Sequence, residues 1–352
     1  VLNCCSYLVS HWDTCRLHLS YIINNSLIRI NMGKPLMPFL VVCILLAFPL
    51  AGCTEEVVEE RKIDAEELVE VETPCSIPST PISQSMPGVL VNGDERYFRL
   101  TAPSSDAGTE LPVILAFHGG GDAEEDFPQQ DEFDELAEQE KFIMAYAIAD
   151  QERTAAEGEW YLNTAATSMD DNNFSEAIVE ELSAVYCVDQ SRLYAIGYSL
   201  GAMFTYEIAC QLNHRFSAVA SFAGTMPVSP ESCDLDSGIG IMHIHGKLDY
   251  IIYYHTDWEW KEGEHEGVGT MSEVPALIDY WADKSDCQAM NENSDLFVEH
   301  IVHNDCVDEA RIEHYGLELN DHTWPGEIDG TPTYQLMWEF LSDFSRPDDA
   351  SS

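Results

Sequence analysis

The chain has 352 residues with 45% hydrophobic content, enough to bury a full core in one domain of the larger kind. Against 63 acidic residues stand 16 Lys and Arg, a formal charge of −47, so polyanions and anionic membrane surfaces are repelled and nucleic-acid binding is excluded as a function. Acidic residues scattered through the presumed domain, as well as clustered near its start, read as a hydrated surface and not as a site.

Residues 1–31 sustain no helical or strand period, and Met32 is the expected start. From there Lys34, the apolar run 38–50 and Ala51-Gly52-Cys53 follow the charged, apolar and small-residue order of an export signal, 32–52. The run is too short for a bilayer span of about 20 residues. Leu50-Ala51-Gly52-Cys53 has the form of a lipoprotein box, which makes Cys53 the expected lipidation site and the cell surface or exterior the expected location. Residues 53–86, acidic at first and then rich in Pro, Ser and Thr, read as an extended tether.

The catalytic domain is expected over 87–347. It opens with residues 89–91, Asn92-Gly93 and 96–100, where Asn-Gly between alternating residues signals a two-residue hairpin. Short apolar runs at 113–117, 142–148, 193–196, 239–245 and 312–319 read as strands, and 132–141, 174–186, 202–212, 274–282 and 334–344 as helices. Apolar strands alternating with amphipathic helices describe an α/β fold, a mostly parallel sheet with helices on both faces.

Gly197-Tyr198-Ser199-Leu200-Gly201 falls between a predicted strand and a predicted helix. There it forms a sharp turn that presents a serine, with glycines where the flanking positions need small side chains. His118-Gly119-Gly120-Gly121 follows the strand at 113–117. Its glycines let backbone N–H groups approach a developing oxyanion, so Gly120, Gly121 and Leu200 are the expected oxyanion-hole donors. Asp249 lies just past the strand 239–245, and His322 lies after the strand 312–319 and before the last helix. The order Ser199, Asp249, His322 is that of a nucleophile, acid and base delivered at one sheet edge. Trp160, Tyr250 and Trp324 are the aromatic candidates for substrate contact at the mouth of such a site. His243-x-His245 alternates along a buried strand and His300-x-x-His303 lacks a nearby third ligand, so no metal and no cofactor is expected. The six cysteines past Cys53 fit an oxidising compartment and leave 15 connectivities open.

Several of these segments together resemble one family. They are His118-Gly119-Gly120-Gly121, Asp170-Asp171 with Phe174, Val188-Asp189 with 192–197, the serine turn, His243-Ile244-His245-Gly246 with Asp249, and His322-Thr323-Trp324-Pro325-Gly326. Over residues 86–345 the chain resembles the polyhydroxybutyrate depolymerase and feruloyl esterase group of α/β hydrolases. The resemblance implies that Ser199, Asp249 and His322 form a triad acting on an ester, either a polyester oligomer or a plant polysaccharide ester. It also implies a cysteine pair before the final strand, Cys287 with Cys306; Cys210 with Cys233 is taken as a second pair. Leu200, Ala202 and Asp321 depart from the residues usual in the group and leave the ester itself open.

Overall fold

A computed structural model of the chain describes residues 73–121, 123–150, 160–260 and 267–347. Cys53, the export segment and the acidic run that follows it lie outside the described residues.

The described strands are β1 Ile82–Ser85, β2 Gly88–Val91, β3 Asp94–Ala102, β4 Leu111–Phe117, β5 Ile143–Ala147, β6 Val188–Tyr198, β7 Ala218–Phe222, β8 Gly240–Gly246, β9 Trp258–Glu259, β10 Thr270–Met271, β11 Ala289–Glu292, β12 Val298–Asn304, β13 Ile312–Leu317, β14 Glu327–Ile328 and β15 Thr331–Pro332. The described α-helices are α1 Gln130–Glu140, α2 Asp170–Val185, α3 Leu200–Gln211, α4 Val274–Lys284 and α5 Thr333–Ser342. The main sheet runs β1-β3-β5-β4-β6-β7-β8-β13-β12-β11, with β2 paired to β3. Its centre, β5 through β13, is parallel, and antiparallel strands finish both edges. This is the α/β-hydrolase fold.

The apolar central strands are explained by burial on both faces. Along β4, Val113, Leu115 and Phe117 join the core under α2, α3 and α4, while Ile114 and Ala116 join the core under α1 and α5. The helix α3 is buried nearly all round, from Leu200 to Cys210, because it crosses the middle of the sheet, so it carries no polar stripe. The Asn92-Gly93 hairpin forms with Val91 opposite Asp94 and φ of 53° and 101° at its two loop residues, the left-handed pair that this turn requires.

Three features depart from the sequence reading. The strand β7 was not expected, because alanine and serine fill three of the five positions of Ala-Val-Ala-Ser-Phe and dilute its strand character; Val219 lies in the core with α3, while Ala218, Ala220 and Phe222 join the core under α1 and α5. The antiparallel pair β11 and β12 was missed too, since its polar, half-exposed residues alternate weakly. The end of the expected tether, residues 73–86, is held to the domain: Cys75 is bonded to Cys187, the Cys75 carbonyl accepts from the Gly108 N–H at 2.8 Å, and β1 pairs with β3. Pro74, Pro78 and Pro81, whose composition suggested a solvated linker, all precede β1 and leave its backbone free to pair. The other disulfides join Cys210 to Cys233 and Cys287 to Cys306.

Candidate active site

The parallel strands bring the carboxyl ends of β4, β6, β8 and β13 to one edge of the sheet, where ligands of open α/β sheets sit. Ser199 is the single residue between β6 and α3, with φ 55° and ψ −120°, a conformation costing about 1–3 kcal/mol for a residue with a Cβ. It is held there from both sides: its N–H donates to the Phe222 carbonyl on β7 at 2.9 Å, and its carbonyl accepts from the Met203 N–H at 3.0 Å as the helix begins. A Cβ on Gly197 would lie 2.3 Å from the Gly201 oxygen, so the turn closes only around glycine.

His322 reaches the serine from the loop after β13. Its Nε2 is 2.8 Å from Ser199 Oγ, and its Nδ1 is 2.6 Å from Asp249 Oδ2. The carboxylate can only accept, so Nδ1 carries the proton and Nε2 is left to accept from the Ser199 hydroxyl. Asp249 is 5% exposed, and its other oxygen accepts the N–H groups of Ile251 and Ile252 at 2.8 and 2.9 Å. Burial pushes the Asp249 carboxyl up, but donors on His245 and His322 outweigh it and hold the group well below the usual carboxylate range. The His322 loop lies directly on β8, where a Cβ at Gly246 would meet the Asp321 carbonyl at 2.2 Å. Asp321 turns its carboxylate to the Thr323 N–H at 2.9 Å, capping its own loop.

The glycine run after β4 is organised by His118, which the sequence reading did not single out. Its Nε2 accepts the Ala149 N–H at 3.1 Å, so Nδ1 is protonated and donates to the Gly119 carbonyl at 2.8 Å. In a trans peptide the N–H points away from the carbonyl, so pinning the Gly119 oxygen fixes the direction of the Gly120 N–H. Gly120 lies against Leu200, 3.3 Å from its side chain if a Cβ were added, and Gly121 has φ 75°. The three expected oxyanion donors, Gly120, Gly121 and Leu200, therefore lie on two segments packed together beside Ser199.

Among the aromatic candidates, Trp160 needs correction. It is 3% exposed, stacks on Phe204, meets Phe117 edge-on, and donates its indole N–H to the His118 carbonyl at 2.9 Å. With its polar atom satisfied inside the core, it supports the glycine run from below and presents no face at the mouth. Trp324 packs against Tyr198, Phe127 and Phe222, and Tyr250 is 70% exposed on the turn after β8. A second residue missed from sequence is Gln129, whose amide accepts from Trp324 Nε1 at 2.9 Å and donates to the Gly326 carbonyl at 3.1 Å. A glutamine just before a helix gives no signal of this clamp.

A strained serine between strand and helix, an imidazole and a buried carboxylate in line define the class: a serine hydrolase of the α/β-hydrolase fold. Within that class, residues 102–263 match the model of the phospholipase/carboxylesterase family. The bifunctional acetylxylan esterase/xylanase XynS20E of Neocallimastix patriciarum is 24% identical over 254 residues, 72% of this chain and 34% of that protein. Feruloyl esterase C of Emericella nidulans is 33% identical over 89 residues, 25% of this chain and 32% of that protein. Among solved structures, the acetyl xylan esterase from Aspergillus awamori has the same fold, with a TM-score of 0.52 and 16% identity over 73% of this chain and 99% of that one. The chain spans less than half the length of the first curated relatives it matches, at 47%, 34% and 18%.

Proposed function

We propose that this chain is an exported serine carboxylesterase working through an acyl-enzyme, with Ser199 as nucleophile, His322 as base and then acid, and Asp249 as the ionised partner of the imidazole. The observation that carries the reading is the continuous chain Ser199 Oγ, His322, Asp249 at 2.8 and 2.6 Å, on a serine held at positive φ. His322 takes the Ser199 proton as the oxygen attacks an ester carbonyl and returns it to the leaving alcohol; water then releases the acid by the same route. The N–H groups of Gly120 and Leu200, with Gly121, would receive the oxyanion. Removing one such donor typically costs about 10²–10³ in kcat.

Esters of plant polysaccharides, feruloyl or acetyl, suit the relatives' names, and hydroxyalkanoate oligomers suit the motif resemblance. Tyr250 and Trp324 are the proposed substrate contacts. Export with a lipid anchor at Cys53 agrees with three disulfides, which persist in oxidising compartments. A second reading, deacetylation of xylan, is favoured by the acetylxylan esterase that aligns with 72% of the chain.

The test is a panel of p-nitrophenyl acetate and butyrate, methyl ferulate, acetylated xylan and hydroxybutyrate oligomers, run beside fluorophosphonate labelling of the wild type and Ser199→Ala. Labelling and ester turnover that both vanish in Ser199→Ala are expected. Wild-type protein that neither turns over an ester nor labels would overturn the reading in favour of a non-catalytic binding protein. Faster cleavage of aminoacyl amides would make it a peptidase.

A further inference from the structure

A line of hydrogen-bonded side chains continues from the triad into the core and ends on α3. On β8, His243 and His245 point to the same face, with His243 Nε2 3.1 Å from His245 Nδ1. His245 Nε2 is 3.2 Å from Asp249 Oδ2 and 3.0 Å from the Ile252 carbonyl. At the far end, His243 Nδ1 is hydrogen-bonded to the hydroxyl of Tyr206 on α3. Tyr206, His243 and His245 are all fully buried.

The proton positions follow from the acceptors. Asp249 Oδ2 and the Ile252 oxygen only accept, so His245 Nε2 carries hydrogen. From the far end, Tyr206 O–H donates to His243 Nδ1, so the hydrogen of His243 sits on Nε2 and points at His245 Nδ1. Burial agrees with this order: it drives the His243 imidazole well down and the Tyr206 phenol up, so neither ionises. The other titratable and charged groups around the line are His314, across from His243 on β13, and Tyr254, whose ring is 5.7 Å from that of His245. Beyond them lie Glu299, Lys247 and Glu318. Burial takes His314 down to about 3, so it too is neutral.

Asp249 Oδ2 thus faces the N–H of His322 from the solvent side and, from the core, the His245 Nε2–H that it shares with the Ile252 carbonyl. Ile252 ties the arrangement together, giving its N–H to Asp249 Oδ1 and its carbonyl to His245. We propose that His245, held from behind by His243 and Tyr206, is a positioning residue that fixes the Asp249 carboxylate and shares its charge with His322. Without that second donor, the full carboxylate charge would fall on His322, favouring its protonated form, and the carboxylate would be free to turn.

This role rests on the triad reading above, so the test has an arm that does not need catalysis. In the full chain with 15N-labelled histidine at neutral pH, His245 is expected to carry hydrogen at Nε2. A His245 protonated only at Nδ1 overturns the proposal whether or not the protein is an esterase. In the activity arm, His245→Ala lowers kcat on p-nitrophenyl butyrate about 10- to 100-fold with KM unchanged, and moves the acid limb of kcat/KM to higher pH. His245→Gln, which keeps an N–H at similar reach, recovers most of the loss and returns the limb. A folded His245→Ala with wild-type kcat and profile overturns the role, as do equal losses in Ala and Gln, which would indicate packing alone. If Ala does not fold, a His245→Gln that retains near-wild-type kcat supports the role and one that falls as far as His322→Ala overturns it.

Discussion

Gly201 passes so close to Phe117 that a Cβ on Gly201 would lie 2.0 Å from the Phe117 carbonyl oxygen. Both partners are backbone, so the contact cannot be relieved by a rotamer change, and Phe117 leads directly into His118 and the glycine run. Gly201→Ala is expected to push these segments apart, costing about 1–3 kcal/mol of stability and about 10²-fold in ester turnover, the loss a misplacement near 1 Å produces. Gly326→Ala, with nothing within 4 Å of the added carbon, serves as control. Thermal melts and p-nitrophenyl butyrate rates check it; a Gly201→Ala protein matching the control would refute the close-contact argument.

Trp160 and Tyr250 should separate by what they change. Trp160→Ala removes a buried ring and leaves the His118 carbonyl without its indole donor, an expected loss of about 3–5 kcal/mol. Tyr250→Ala, at an exposed position, should alter stability by no more than about 0.5 kcal/mol, while raising KM for the preferred ester. Urea titrations beside Michaelis curves on the ester panel measure both effects.

The two outer disulfides enclose very different lengths of chain, with sequence separations of 112 for Cys75 to Cys187 and 19 for Cys287 to Cys306. On the loop-entropy account, removing the longer link by the Cys75→Ala, Cys187→Ala pair costs about 1.5 kcal/mol more than removing the shorter one. Equal losses in urea midpoint would mean that the chain before β1 is held by its strand pairing and not by the bond.

Acid should weaken the fold before the carboxylates titrate. Unfolded imidazoles bind protons below about pH 6.5, whereas native His314 does so only at about 3 and His243 is also held well below its ordinary value. The unfolded state therefore holds more protons between those limits, and stability falls as the pH drops, by about 1.4 kcal/mol per pH unit for each group. Burial raises the Glu207 carboxyl, so that this single group opposes the slope. The contribution of Asp249, whose native carboxyl is depressed, is present above its unfolded value near 4 and is lost only below it. Urea midpoints at pH 7, 6 and 5 should fall steadily; a flat series would place protonated histidines inside the folded core.

The hairpin at Asn92-Gly93, the central strands β4, β5, β6, β8 and β13, the five described helices and the serine turn were legible because each leaves a local mark: a turn dipeptide, an apolar run or a period. The strand β7 left none, because Ala218, Ala220 and Ser221 carry little strand preference of their own. Trp160 reads from sequence like Tyr250, an aromatic in a polar loop, and only packing separates a ring stacked on Phe204 from one at 70% exposure. His118 looked like the start of a glycine run and His243-x-His245 like strand core. Their roles as donors and acceptors depend on partners 31 and 37 residues away, a separation no local pattern records. The sequence by itself determined the order of elements and the residue types at the sheet edge, since these follow from periodicity and from the backbone freedom of glycine. Only the tertiary structure decided which nitrogen faces which oxygen, because Asp249 meets His322 through the pairing of β8 with β13, and hydrogen-bond direction exists only once that pairing is made.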